Sequence, residues 1–122
     1  MNRRDVIATG AALVTISGSA FAQTSHGDHA AITSLFDAAN KTQVGSDQGY
    51  CVRVAVGKSW ECNWTNMLKD GQIMVEGPFW DDKDSVLTII GGTGKYAGAR
   101  GTLKLHARDA KASSYQFIFE LL

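Results

Sequence analysis

The feature of this sequence that most constrains its fold is a series of short, alternating stretches that begins near Gly49. Six stretches rich in β-branched and aromatic residues follow one another, at roughly 50–56, 59–68, 72–79, 86–90, 102–108 and 114–121. Residues typical of tight turns separate them, such as Gly57-Lys58 and Lys69-Asp70-Gly71. No helical periodicity follows residue 40, so the sequence predicts an all-β, antiparallel meander.

A sheet of this kind has two edge strands whose unpaired backbone groups must be protected. Closure into a barrel removes both edges, whereas a sandwich of two sheets keeps them. We expect a closed barrel, with a sandwich as the alternative. The single proline, Pro78, stands near the end of its stretch, where a missing N–H group does least harm.

The first 22 residues have the composition of an export signal. Arg3 and Arg4 give a basic start, an apolar run follows, and Ala20-Phe21-Ala22 has the small-x-small pattern of a cleavage site. The apolar run is too short to span a bilayer. The arginine pair is typical of the twin-arginine route, and the general export route is an equal alternative. Both routes lead to the periplasm or to the outside of the cell.

Cleavage after Ala22 defines the organisation that we expect for the rest of the chain. Residues 23–33 are mostly polar before Ile32 and would form a flexible tether. Residues 34–122 would form one domain, since a segment of this length supports a single modest core.

The balance of charges and the absence of a further apolar run limit the possible partners. The chain has 12 basic and 12 acidic residues and no basic stripe, so we expect no nucleic-acid partner. We also expect no membrane span, no metal and no cofactor. His26 and His29 lack further ligands at fixed spacing, and the three carboxylates of the segment 81–84 are typical of a solvated turn rather than of a calcium site.

Two cysteines, Cys51 and Cys62, remain in the exported part. In an oxidising compartment we expect them to form a disulfide, the alternative being two separate buried thiols. A tight turn at Gly57-Lys58 would place them diagonally across a hairpin. A shift of one residue would place them directly opposite each other, which suits a disulfide better.

The most distinctive segment is rich in glycine and runs from Gly91 to Gly101. It resembles a phosphate-binding loop only superficially, because it lacks the Gly-Lys-Ser/Thr ending and is followed by a strand-like stretch. We interpret it as a long hairpin connection anchored by Tyr96 and stabilised by Arg100. Its structural residues would be Gly91, Gly92, Gly94, Arg100 and Gly101.

The order Gly-Gly-Thr-Gly-x-Tyr-x-x-Ala-Arg-Gly in residues 91–101 resembles a signature of the allene oxide cyclase and dirigent superfamily. Residues 45–49 (Gly-Ser-Asp-Gln-Gly) and 70–77 are similar to two further patterns of that superfamily. The resemblance implies a calycin-like, eight-stranded antiparallel barrel with an apolar cavity, usually trimeric, and here with a shortened first strand. Its members include isomerases of a fatty-acid epoxide and proteins that steer phenoxy-radical coupling. No catalytic residue of the cyclases has a matching position in this chain.

Candidate ligand-binding residues stand on the predicted strands. Trp60 and Trp64 share one strand face and could line an apolar pocket, although core packing is the simpler explanation. Arg53 and Glu76 lie in otherwise apolar strands and could pair if both face the cavity, the simpler alternative being that they face solvent. Tyr96 completes the predicted pocket.

These observations favour an exported, non-catalytic barrel that binds a small apolar or aromatic compound in the cell envelope without a cofactor. One alternative is an allene oxide cyclase-like isomerase. Another is a structural envelope protein with a filled barrel, because the last strand is apolar on much of both faces and would suit contact with another subunit, such as in a homotrimer.

Overall fold

The computed structural model describes residues 12–17, 28–37, 39, 41–108, 110 and 114–122. They form eight strands, and none of these residues is helical. The strands are β1 (Ala12–Ser17), β2 (Asp28–Asp37), β3 (Gln43–Ala55), β4 (Ser59–Leu68), β5 (Gly71–Trp80), β6 (Ser85–Gly94), β7 (Gly101–Ala107) and β8 (Ser114–Leu121). The sheet closes into a barrel in sequence order, with every pair antiparallel. The predicted all-β barrel is confirmed.

The alternation of the strands sorts their side chains into an inner and an outer face. On β4, Trp60, Cys62, Trp64 and Asn66 are buried, and the residues between them are more exposed. The inner faces of the other strands supply the rest of the apolar core. These buried residues include Leu35, Ile73, Val75, Phe79, Leu87, Ile89, Leu103, Leu105, Tyr115, Phe117, Phe119 and Leu121.

The cysteines lie directly opposite each other in the hairpin of β3 and β4. Cys51 pairs with Cys62 in the strand register, and the two form a disulfide with a Cα–Cα distance of 4.1 Å. A register shift between Arg53 and Ala55 provides the one-residue offset that places them in direct opposition. The predicted disulfide is confirmed.

The glycine-rich segment divides between a strand and a turn. Gly91 to Gly94 belong to β6 and pair with β5, while residues 95–100 form the connection to β7. Gly94 has a φ of 61°, which favours glycine. The connection docks on the neighbouring turn through a hydrogen bond from the Lys95 N–H to the Asp70 carbonyl, and Tyr96 is buried. Arg100 is exposed, and its carbonyl accepts a hydrogen bond from the Leu122 N–H at 2.8 Å.

The N-terminal strands differ from the organisation that the sequence predicts. β2 begins at Asp28, inside the segment 23–33 that has the composition of a tether. Its polar start pairs through the backbone, with Asp28 opposite Val52 and His29 opposite Cys51. β1 lies inside the predicted export signal, and the remainder of residues 1–27 is outside the described residues.

Candidate functional site

The inner face of β3 has a gap in its side chains on both sides of Asp47. Residues 45 and 49, two positions before and two positions after Asp47, are both glycine. A Cβ atom on Gly45 would collide with the carbonyl of Met67, and one on Gly49 would collide with the carbonyl of Asn63 and with the Trp64 ring. The two glycines therefore allow β4 to approach closely, and they leave Asp47 without side-chain neighbours along its own strand.

Asp47 is an acidic residue in the barrel interior. It is 6% exposed, and its Oδ2 atom has no hydrogen-bond partner among the residues described. Burial disfavours the charged carboxylate and raises the pKa of Asp47 from 3.8 to about 7. The carboxyl group is therefore able to hold or release a proton near neutral pH.

Asn66 lies directly across from Asp47, on β4. The two residues are register partners, and Asn66 is fully buried. Its Nδ2 donates a hydrogen bond to the Ile73 carbonyl at 3.1 Å. Because only the amide nitrogen can donate to a carbonyl, this bond fixes the orientation of the side chain. The Oδ1 atom, also buried, has no partner in the described part of the chain.

Trp64 lies beside this pair and begins a row of aromatic side chains that leads away from it through the core. Trp64 is 5% exposed and lies two residues before Asn66, with its ring against Gly49. It packs edge-on against Phe79 at a centroid distance of 6.4 Å, and Phe79 in turn packs against Tyr115 at 5.4 Å. The Asp47–Asn66 pair thus combines a titratable carboxyl group with a fixed amide acceptor inside an apolar interior.

A second polar cluster lies at the opposite end of the barrel. Arg53 and Asp81 form a salt bridge of 2.9 Å, and the guanidinium group lies 3.9 Å from the centroid of the Trp60 ring. The Trp60 Nε1 donates to the Asp81 carboxylate at 3.1 Å. These contacts bind the β5–β6 turn to the wall of the barrel.

A surface groove of about 250 Å³ adjoins this cluster. Its lining includes Trp80, Tyr115 and the carboxylates of the β5–β6 turn. The His106 Nδ1 lies 2.8 Å from the Asp84 carboxylate, and this hydrogen bond is the main cause that lowers the pKa of Asp84. His106 is exposed, on the outer face where the alternation of β7 places it.

The structure separates the residues that the sequence suggests for a pocket. Trp60, Trp64 and Tyr96 are buried in the core. Arg53 does not meet Glu76, because Glu76 is exposed on the outer face of β5, where it accepts a hydrogen bond from the Asn63 Nδ2 at 3.2 Å. The suggested Arg53–Glu76 pair is therefore wrong, and Asp81 is the partner of Arg53.

The sequence also draws attention to two groups of potential metal ligands, the pair His26 and His29 and the carboxylates of residues 81–84. In the described part of the chain, no group of three or more His, Cys, Asp or Glu side chains is arranged to hold a metal ion. His26 lies outside the described residues, as does the side chain of His29. Within the described ranges, the protein has no helix that is long and apolar enough to cross a membrane.

Sequence reasoning missed both members of the interior pair. Asp47 has the same parity on β3 as Cys51, and Asn66 has the same parity on β4 as Trp64. That parity is a signal for inward-facing positions. It becomes decisive only when the register of the two strands is known.

Comparisons with known proteins agree with this architecture. The profile of a family described as "Allene oxide cyclase barrel like domain" matches residues 10–119. A solved structure of a pyocyanin demethylase has a TM-score of 0.61 at 22% identity, covering 90% of this chain and 98% of that chain.

Two pterocarpan synthase dirigent proteins are similar in fold as well. PsPTS1 has a TM-score of 0.67 at 15% identity, covering 93% of this chain and 88% of its own. GePTS1 has a TM-score of 0.64 at 15% identity, covering 88% and 75%. No curated protein sequence matches this chain.

Proposed function

Because this chain belongs to the family of allene oxide cyclase barrel-like domains, we propose that it is an exported barrel that binds a small apolar or aromatic molecule. The ligand would lie in the interior, with its polar group at Asp47 and Asn66. In this role the protein holds the molecule without changing it.

The observation that carries this proposal is the pair of buried oxygens without hydrogen-bond partners. Asp47 Oδ2 and Asn66 Oδ1 lie on register partners of adjacent strands and are both shielded from solvent. A buried polar atom without a partner typically costs about 1–3 kcal/mol. A ligand that supplies a hydrogen bond to each atom would recover that cost, so the pair supports a polar anchor for an otherwise apolar ligand.

The surrounding side chains support the class of ligand. Trp64, two residues before Asn66 on the inner face of β4, offers a flat apolar surface beside the polar pair, as small-molecule sites generally do. The names of the structural neighbours refer to pyocyanin and to pterocarpan, which supports a small-molecule ligand for this barrel as well.

The test is a binding screen on the chain without residues 1–22, followed by variants of the polar pair. Thermal shift and tryptophan fluorescence would be measured against aromatic and fatty-acid compounds. For a compound that binds, Asn66→Leu should weaken affinity by about tenfold or more, since one hydrogen bond is lost. Asn63→Leu is the matched control, because Asn63 is an amide on the outer face of the same strand. A folded protein with no saturable response, or equal loss in the control, would refute the proposal.

A second candidate function is an isomerase of the allene oxide cyclase type. It is favoured by the pKa of Asp47, about 7, which lets the carboxyl group both donate and accept a proton near neutral pH. Turnover of a reactive lipid epoxide with a pH dependence near that pKa, lost in Asp47→Asn, would distinguish this function from binding alone.

The location and assembly of the protein form the remaining part of the proposal. The leader-like residues 1–22 and the disulfide support export to the periplasm or beyond. An exposed apolar row on the outer face of β3, formed by Tyr50, Val52 and Val54, supports contact between copies, such as a homotrimer. Analytical ultracentrifugation that finds only a monomer at high concentration would exclude this assembly.

A further inference from the structure

The strand β1 has two roles that exclude each other in a mature exported protein. Its residues Ala12–Ser17 lie within the segment whose composition predicts removal after Ala22. In the structure the same residues form part of the barrel wall. Cleavage after Ala22 would therefore remove a strand from the barrel.

β1 fills a defined place between β2 and β8. It pairs with β8 from Ser114 to Ile118 and with β2 from Leu35 to Asp37. On their other sides, β8 pairs with β7 and β2 pairs with β3. Without β1, the two strands would have facing edges whose backbone donors and acceptors lack strand partners.

The edges of β2 and β8 that pair with β1 border the apolar interior of the barrel. The register sets Ile16 opposite Leu35 on one side and opposite Tyr115 on the other, and it sets Val14 opposite Phe117. Leu35, Tyr115 and Phe117 are all buried core residues. A strand of six residues spans about 20 Å, so the vacancy would be a slot one strand wide along the core.

We propose that Ala12–Ser17 is a removable strand, and that cleavage after Ala22 opens a slot between β2 and β8 that binds this same extended segment in trans. Main-chain hydrogen bonds to the two edges give the affinity, as in other cases of strand addition. The alternation of the segment gives the register, because a slip of one residue would exchange its two faces. The proposal rests on the cleavage included in the proposed function, and it does not depend on the small-molecule ligand.

Hydrogen exchange measured by mass spectrometry tests the opening of the slot. The full chain of 122 residues would be compared with residues 23–122, both with the disulfide formed. We expect those amides of 114–118 that point toward β1 to exchange about 100-fold faster in the shorter chain, since they lose their acceptors, whereas the alternate amides still pair with β7. Amides of β4 and β5, which are distant from the slot, serve as the internal reference. Equal protection of 114–118 in both chains would overturn the proposal.

A synthetic peptide of residues 10–19 tests the occupant. Added to residues 23–122, it should restore protection at 114–118 and bind at a ratio of one peptide per chain. A peptide with Thr15→Pro is the control, because proline removes a backbone donor from the middle of the strand. No restoration by the unmodified peptide would overturn the proposal, and so would protection that rises only with protein concentration, which would indicate that a second copy fills the slot.

A second preparation keeps the test decisive if residues 23–122 do not fold by themselves. A protease site inserted after Ala22 would be cut in the folded full chain. We expect the N-terminal fragment to stay bound and then to exchange with a labelled peptide of residues 10–19. A fragment that dissociates at once while 114–118 stay protected would overturn the proposal.

Discussion

The buried carboxyl group of Asp47 leads to a specific expectation for the pH dependence of stability. The pKa of Asp47 is about 7 in the folded protein, against an ordinary value of 3.8. Below about pH 4 the carboxyl group is protonated in both the folded and the unfolded chain. Between these two pKa values the unfolded chain loses a proton that the folded chain retains, so the free energy of unfolding falls as the pH rises.

The size of the effect follows from the difference between the two pKa values. Each pH unit within that window lowers the free energy of unfolding by about 1.4 kcal/mol. From 3.8 to about 7 the total is about 4 kcal/mol. Above about pH 7 the group is charged in both states, and the full loss is present and constant.

Asp47→Asn is the informative substitution, because asparagine has nearly the same shape and does not titrate. Urea unfolding at about pH 5 and about pH 8 should show that the wild type loses stability between these values by about 3 kcal/mol more than the variant. Asp82→Asn is the control, since Asp82 is exposed on the β5–β6 turn. If Asp47→Asn leaves the pH dependence unchanged, Asp47 is not buried in its protonated form and the argument for the interior site fails.

Three further changes test other parts of the structure. Gly49→Ala should destabilise the fold by about 1–3 kcal/mol in urea unfolding, because its Cβ would meet the Asn63 carbonyl and the Trp64 ring. Gly91→Ala is the control, since a Cβ there meets no atom within 4 Å. Equal effects of the two substitutions would contradict the close approach of β3 and β4. Replacing Cys51 and Cys62 together by alanine should cost about 3 kcal/mol, and a variant as stable as the oxidised wild type would be inconsistent with a constraining disulfide. Asp81→Ala should lower the free energy of unfolding by about 1–2 kcal/mol and shift tryptophan fluorescence, because Asp81 accepts hydrogen bonds from both Arg53 and Trp60. Unchanged fluorescence and stability would show that these contacts do not hold the β5–β6 turn in place.

Much of the barrel could be predicted from the sequence because its signals are local. The alternation from Gly49 onward and the turn residues such as Gly57-Lys58 each depend on a few neighbouring residues. β2 lacks such a signal at its start, since Asp28 and His29 pair through the backbone alone. β1 was not predictable as a strand, because its apolar run is equally typical of an export signal.

The sites depend on register and were therefore harder to predict. Arg53 meets Asp81, 28 residues away on the β5–β6 turn, and no local pattern indicates a contact over that separation. Asp47 and Asn66 stand next to other polar residues, such as Gln48 and Thr65, so alternation alone does not say which face is inside. Once their strands are aligned on the Cys51–Cys62 pair, both fall on the inner face.

The position of the disulfide also bears on how the protein is made. Cys51 and Cys62 are 11 residues apart and belong to a single hairpin. A chain made only as far as Leu68 already contains every residue of that hairpin. Oxidation therefore does not have to wait for the C-terminal strands, and the first covalent constraint of the barrel can be in place before the sheet closes.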